Sequence, residues 1–179
     1  ELAQAFAEEK SGGVRVTYKN EISVAENGGW RYDYGNMFYV LLVSQYLTVA
    51  QFDDETVQAI MEEALKYEGW TYVYGGDSPS TSFDCSGFVS WVVNHTGWNF
   101  GRLTADGLLG VCTPVSSADA RPGDLIFFVG TYDTPGVSHV GIYVGGGKML
   151  HCGDPIQYAD INTSYWQSHF YAFGRPPYN

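Results

Sequence analysis

The strongest periodicity in the chain follows Phe52. Val57, Ile60, Met61, Ala64 and Leu65 recur at helical spacing, and Phe52-Asp53-Asp54-Glu55 in front of them reads as a helix start with Asp53 or Asp54 as N-cap. The helix is predicted to end before Gly69. Its acidic trio reads as a cap that complements the helix dipole, not as a cation site. Upstream, Val14-Arg15-Val16-Thr17-Tyr18 alternates like a strand, Asn27-Gly28-Gly29 is a turn, and 36–50 reads as a mostly buried helix. Downstream, Gly75-Gly76-Asp77-Ser78-Pro79-Ser80 is a loop, followed by a helix over 85–95 with an apolar stripe of Phe88, Trp91 and Val92 closed by His95. Turn-rich residues lead to Gly123. Strands are then predicted over 124–129, 139–144 and 148–152, with Gly145-Gly146-Gly147 joining the last two as a hairpin, and another near 171–174. A helix followed by consecutive strands argues an α+β fold over a wound parallel sheet.

Composition narrows the function. The 179 residues are 45% hydrophobic and 16% charged, which excludes a disordered chain. Aromatics make up 16%, and the 14 Tyr suit clefts where one end of the ring is apolar and the other wet. Net charge is −11, with both the first 68 residues and the remainder acidic and no basic stripe, so a nucleic-acid partner is excluded. The longest apolar stretch, 37–50, carries Ser44, Gln45 and Thr48 and is too short to span a bilayer. The chain starts at Glu1 with no basic-then-apolar leader and reads as a processed piece from which a signal or anchor has been removed. Three cysteines, 85, 112 and 152, do not make a disulfide framework; the leftover thiol is inert, a ligand or a nucleophile.

Cys85 stands in Phe83-Asp84-Cys85-Ser86-Gly87, after a Gly/Ser/Pro loop and at the start of a helix. Unpaired N–H groups and the positive dipole end there favour thiolate over thiol and can receive an oxyanion. His139 and His151 lie on adjacent predicted strands joined by the glycine turn, so a hairpin can bring them close. In 138–144 the apolar side chains of Val140, Ile142 and Val144 share one face, and His139 points to the other with Gly141 and Tyr143. A nucleophile, a base and a group orienting the base form a triad.

These residues carry a resemblance. Over roughly 68–178 the chain resembles the NlpC-type cysteine peptidases of bacterial cell walls, members of the papain-like superfamily. The motifs are Gly69-Trp70-Thr71-Tyr72-Val73-Tyr74-Gly75-Gly76, Phe83-Asp84-Cys85-Ser86-Gly87-Phe88-Val89, Arg121-Pro122-Gly123-Asp124-Leu125-Ile126-Phe127-Phe128, Ser138-His139-Val140-Gly141-Ile142-Tyr143-Val144 and Met149-Leu150-His151. The resemblance implies a papain-like α+β domain at 68–179, its nucleophile helix packed on an antiparallel sheet, behind a partly helical accessory region at 1–67. It implies Cys85 as nucleophile, His139 as base and His151 as the group that orients it. Tyr72 matches a contact to the oxyanion or substrate, and Asp84 and Ser86 match contacts to the stem peptide. It further implies a peptidoglycan endopeptidase that cuts after γ-D-glutamyl and before diaminopimelate or lysine. Such an enzyme is expected to need no cofactor or metal, to act as a monomer on muropeptides, and to be secreted or wall-associated. Thr71, Phe88 and Cys152 depart from the residues common at those positions.

Rival readings are an amidase on the same scaffold, a wall-binding module with an unused site, and a zinc site of Cys85, His139, His151 and Cys152. The zinc site lacks a short ligand pair, and adjacent strand residues 151 and 152 point to opposite faces. Cys112 and Cys152 read as buried structural thiols, and His95 and His169 as packing or surface histidines. Gly145-Gly146-Gly147 reads as a hairpin turn and not a phosphate loop.

Overall fold

The computed structural model describes residues 9–10, 13–14 and 55–177. The chain divides into two units, Glu1–Thr48 and Val49–Asn179. In the first, Glu9–Lys10 (β1) and Gly13–Val14 (β2) pair antiparallel. Residues 15–18 of the expected strand, the turn at 27–29, the helix at 36–50 and the caps at 53 and 54 lie outside the described residues.

The second unit opens with Glu55–Leu65 (α1), which buries Val57, Ile60, Met61, Ala64 and Leu65. These are the residues of the predicted stripe, and they join the main core beside Phe88, Val89 and Val92. The helix thus belongs to the compact unit that begins at Val49, ahead of the expected division at 67/68. Glu63 on α1 is buried, and its carboxylate accepts from the Tyr67 hydroxyl at 2.7 Å and from Trp91 Nε1 at 3.2 Å. That tie fixes α1 to the helix carrying Trp91, because a buried carboxylate is costly unless hydrogen-bonded.

A short hairpin, Asp77–Ser78 (β3) with Ser82–Phe83 (β4), leads into Cys85–His95 (α2). Ala105–Val111 (α3) follows, then Thr113–Val115 (β5), Leu125–Val129 (β6), Val137–Gly145 (β7), Lys148–Cys152 (β8), Ile156–Asp160 (β9), Ser164–His169 (α4) and Phe170–Arg175 (β10). The larger sheet runs β5-β10-β6-β7-β8-β9, with every neighbouring pair antiparallel. The α+β class with a helix on an antiparallel sheet is what the sequence predicts. Three strands and the last one match their expected places within two residues; β3, which falls inside the loop expected at 75–80, and β4, β5, β9, α3 and α4 were not expected.

Alternation along the central strands puts Leu125, Phe127, Val140, Ile142, Leu150 and Cys152 against the helices. Ile126, Phe128 and Met149 turn to the opposite face and pack with Ile161 and Phe173. With Leu125, Ile126, Phe127 and Phe128 all buried, β6 is covered on both faces. Asp124, at its start, is fully buried and accepts from Arg175 Nε at 2.8 Å and Nη2 at 2.9 Å, which ties β10 to β6.

Candidate active site

Cys85 is the first residue of α2, and its position is set by Asp84. The Asp84 backbone is extended, and its Oδ1 accepts from Gly87 N at 2.7 Å, as an N-cap does. The same carboxylate receives Arg102 Nη2 at 2.8 and 2.7 Å, the Ser86 hydroxyl at 3.1 Å and Gly75 N at 3.1 Å. Arg102 Nη1 also donates to Ser86 Oγ at 2.9 Å. One buried carboxylate therefore joins the preceding loop, the helix start and a distant arginine. Gly87 is required here because a Cβ would overlap the Gly76 carbonyl oxygen.

The imidazoles come from the hairpin. His139 on β7 and His151 on β8 are both buried, and His139 Nε2 lies 2.9 Å from His151 Nδ1 with the rings edge to face. Two glycines make room for that approach. A Cβ at Gly141 would press on the Met149 sulfur and on His151, and one at Gly153 would sit 2.8 Å from His151 Cε1. Phe128, opposite His139 in the β6–β7 register, backs the ring. Trp166 stacks on His139 with centroids 5.4 Å apart and meets His151 edge to face at 5.2 Å.

Cys85, His139 and His151 open onto one cleft of about 630 Å³, together with Tyr72, Asp154 and Trp166. The structure thus gathers the three residues of the sequence-derived triad, and Tyr72 with them. The Tyr72 amide donates to Asp154 Oδ1 at 3.3 Å, tying the tyrosine's loop to the end of the hairpin. Asp84 and Ser86 are placed differently. Both are buried, their polar atoms are engaged by the cap and Arg102, and neither lines the cleft. Sequence reasoning missed Arg102 and Trp166; neither sits in a motif, and both act on residues far away in sequence.

Burial governs the charges. It pushes the Cys85 thiol up and Asp84 adds to that, while the Val140 and Ser86 amides and Arg102 pull the other way. Desolvation of the buried sulfur thus opposes the thiolate expected from the helix N-terminus, where the dipole and the amides favour the charged form. His139 is pushed down to about 3 by burial and by His151, and His151 to about 4 by burial. The resting centre at neutral pH is a protonated thiol beside two uncharged imidazoles. Tyr72 is pushed up by burial and by Cys85 and Asp84, so its phenol keeps its proton and can donate.

The remaining candidates fall outside the cleft's chemistry. All three cysteines are free, and Cys152 Sγ donates to the Phe83 carbonyl at 3.2 Å on the core side of β8. Burial pushes the Cys112 thiol up to about 12. His95 stacks on Trp91, and His169 Nδ1 lies 2.8 Å from the Tyr165 carbonyl. No helix among the described residues is long and apolar enough to cross a membrane.

Comparison with known proteins extends this picture to both units. Residues 1–47, within the part of the chain expected to be an accessory region, match the lysozyme-like family. The bifunctional muramidase/DL-endopeptidase CwlT of Bacillus subtilis is 41% identical over 155 residues, which is 82% of this chain and 46% of the relative. A probable endopeptidase p60 of Listeria seeligeri is 43% identical over 117 residues, 65% of this chain and 21% of that protein. The chain thus spans less than half the length of these curated relatives. A crystal structure of a Staphylococcus aureus protein of the NLP/P60 family, described as similar to a lipoprotein, superimposes with a TM-score of 0.68 at 51% identity. That match covers 90% of this chain and 56% of the other. Residues 69–175, which hold Cys85, both imidazoles and Trp166, match the NlpC/P60 family itself, and the chain belongs to that family.

Proposed function

We propose that this chain is a peptidoglycan hydrolase, a cysteine endopeptidase that cuts the stem peptide after γ-D-glutamyl and before diaminopimelate or lysine. The observation that carries the reading is the His139–His151 hydrogen bond in one cleft with Cys85 at a helix N-terminus. The name of the CwlT relative, a DL-endopeptidase, supports the choice of bond.

The geometry supports a role for each residue in the following steps. His139 donates its Nε2 proton to His151 Nδ1, which leaves the other ring nitrogen as the base. As Sγ of Cys85 attacks the γ-glutamyl carbonyl carbon, His139 takes the thiol proton, so the uncharged resting pair needs no preformed thiolate. The developing oxyanion is met by the Tyr72 hydroxyl and by amides at the helix start. The C–N bond then breaks, His139 hands its proton to the leaving amine, and a thioester remains on Cys85. Water, deprotonated by His139, hydrolyses the thioester, releases the γ-carboxyl product and restores the thiol. Asp84, Ser86 and Arg102 hold the helix end that presents the sulfur.

The reading places the enzyme outside the cell at the wall, acting on muropeptides as a monomer. The lysozyme-like match over 1–47 supports a parent protein with a second, glycan-directed unit. Mass spectrometry of a peptidoglycan digest tests the reading: products ending in γ-D-glutamyl with a new diamino-acid amine are expected. Release of L-alanyl stems from muramic acid would instead establish the amidase.

A further inference from the structure

The catalytic base in this reading has a neighbour that no motif marks. Trp166 is the third residue of the short helix α4, whose N-cap Thr163 accepts from the Trp166 amide. Its indole contacts four rings, those of His139, His151, Phe128 and Tyr165. It lies nearly parallel to His139, 29° off with centroids 5.4 Å apart, and stands edge-on to His151 at 5.2 Å and 83°. Against Phe128 the separation is 4.6 Å. Phe128 itself is fully buried and touches the indole, so the two aromatics together back the His139 ring while the indole also covers His151.

We propose that Trp166 is a positioning residue: its indole seals the His139–His151 hydrogen bond from water and holds the His139 ring in the orientation that serves Cys85. The proposal rests on His139 being the base of the hydrolase reading.

The physical argument has two parts. A hydrogen bond between two neutral imidazoles in the open would compete with water for both partners, and the ring would rotate among alternative donors. Covering the pair with an apolar plane removes those competitors. The cover also disfavours a charge on either ring, in line with burial holding both imidazoles neutral at ordinary pH. The titratable groups around His139 are His151 from β8 and Cys85 from α2, and the same cleft is lined by Cys152, by Tyr72, Tyr132, Tyr158 and Tyr165, and by Asp154 and Asp160. Burial remains the first cause of the low His139 value.

Trp166→Ala and Trp166→Phe in the full chain separate positioning from packing. Hydrolysis of a purified muropeptide is followed from pH 4 to 9, alongside titration of the imidazole C–H resonances by NMR. With Ala, kcat at pH 7 is expected to fall roughly 10- to 100-fold with KM nearly unchanged, the effect of a mis-set base. The acid limb and both imidazole titrations should move up toward the ordinary histidine value of about 6.5. Phe, which restores a ring plane, should recover most of both. If Ala fails to fold by thermal unfolding, Trp166→Leu takes its place with the same expectation. An Ala variant with unchanged kcat and titration overturns the proposal. So does a Phe variant as impaired as Ala while the imidazole resonances titrate as in the parent protein. Should the parent protein leave the muropeptide intact, the hydrolase reading fails, and the NMR titration still decides whether Trp166 shields the pair.

Discussion

The two halves of the candidate catalytic centre are built from opposite materials. At the sulfur, Asp84, Arg102, Ser86 and two backbone amides form a charge-assisted network in which one carboxylate accepts five hydrogen bonds from four donors. At the imidazoles no ion pair is present among the described residues: one hydrogen bond joins two rings that are backed by Phe128 and Trp166, and room for it comes from side chains absent at Gly141 and Gly153. The first half is fixed by electrostatics and the second by shape. A helix end has orphan N–H groups that a carboxylate can satisfy, so charge is the cheapest anchor there. A base that must accept a proton is better served by surroundings that carry none, because a fixed charge would bias the transfer in one direction.

The comparison is broken most severely by removing a reacting atom from either half. Cys85→Ala should abolish muropeptide hydrolysis while changing stability by no more than about 1–2 kcal/mol, since the lost sulfur leaves a small void. His139→Ala should lower kcat by at least roughly 10²–10⁴-fold, because the members act as a unit. Wall hydrolysis by a folded Cys85→Ala protein would sink the nucleophile assignment. His151 sharpens the contrast within the second half. Asn or Gln at 151 can still accept from His139 and should retain measurable turnover, with Ala below them and His139→Ala lowest. Kinetics in which His151→Asn loses all turnover while His139→Ala retains some would reverse the two roles.

The first half breaks differently. Arg102→Ala removes two of the hydrogen bonds that Asp84 accepts, both from Nη2, and leaves a buried carboxylate short of its cation. With Arg102 about one-third exposed, the expected loss is about 1–3 kcal/mol in urea unfolding, below the range for a fully buried pair. Activity should fall through loosening of the helix start, and an unchanged unfolding midpoint would remove Arg102 from the network. The thiol offers a further test. Because burial and Asp84 push it up, alkylation of Cys85 by iodoacetamide should be slow near pH 6 and accelerate above the ordinary thiol value of about 8.5. Fast, selective labelling at pH 6 would instead establish the thiolate expected from the helix dipole.

How far the sequence revealed this centre follows the same division. Helices α1 and α2 were legible because their apolar residues keep a helical period over three turns. The hairpin of β7 and β8 was legible from alternation around three glycines, and with it the meeting of His139 and His151. Strand β9 escaped because it is an edge strand in which only Ile156 is buried, so no run of apolar residues announces it. Helices α3 and α4 are seven and six residues long, too short for a period to declare itself. Arg102 and Trp166 escaped for a different reason. Each acts across the fold, 18 residues from Asp84 in one case, and no local spacing encodes that. Asp84 was identified as important, but its burial and the five hydrogen bonds it accepts are three-dimensional facts. The thiolate expectation rests on the dipole, which is visible in sequence, while the desolvation that opposes it is not.

The mildest expected effect distinguishes the halves by acid. Burial places the native His139 and His151 at about 3 and about 4, against about 6.5 in an unfolded chain. Both native values are depressed, so below 6.5 the unfolded state binds protons that the native state refuses. The stability these neutral imidazoles contribute is fully present above 6.5 and is lost as pH falls toward 4 and 3. The slope is at most about 1.4 kcal/mol per pH unit for each ring. Urea unfolding between pH 7.5 and 5 should show it, and His151→Gln, which cannot take up a proton, should remove about half of it. Arg102→Ala leaves both imidazoles in place and should retain the part of the slope that they set. A parent protein equally stable at pH 7.5 and pH 5 would mean that the imidazole pair admits water and charge, and the contrast between a charged half and an uncharged half would fall with it.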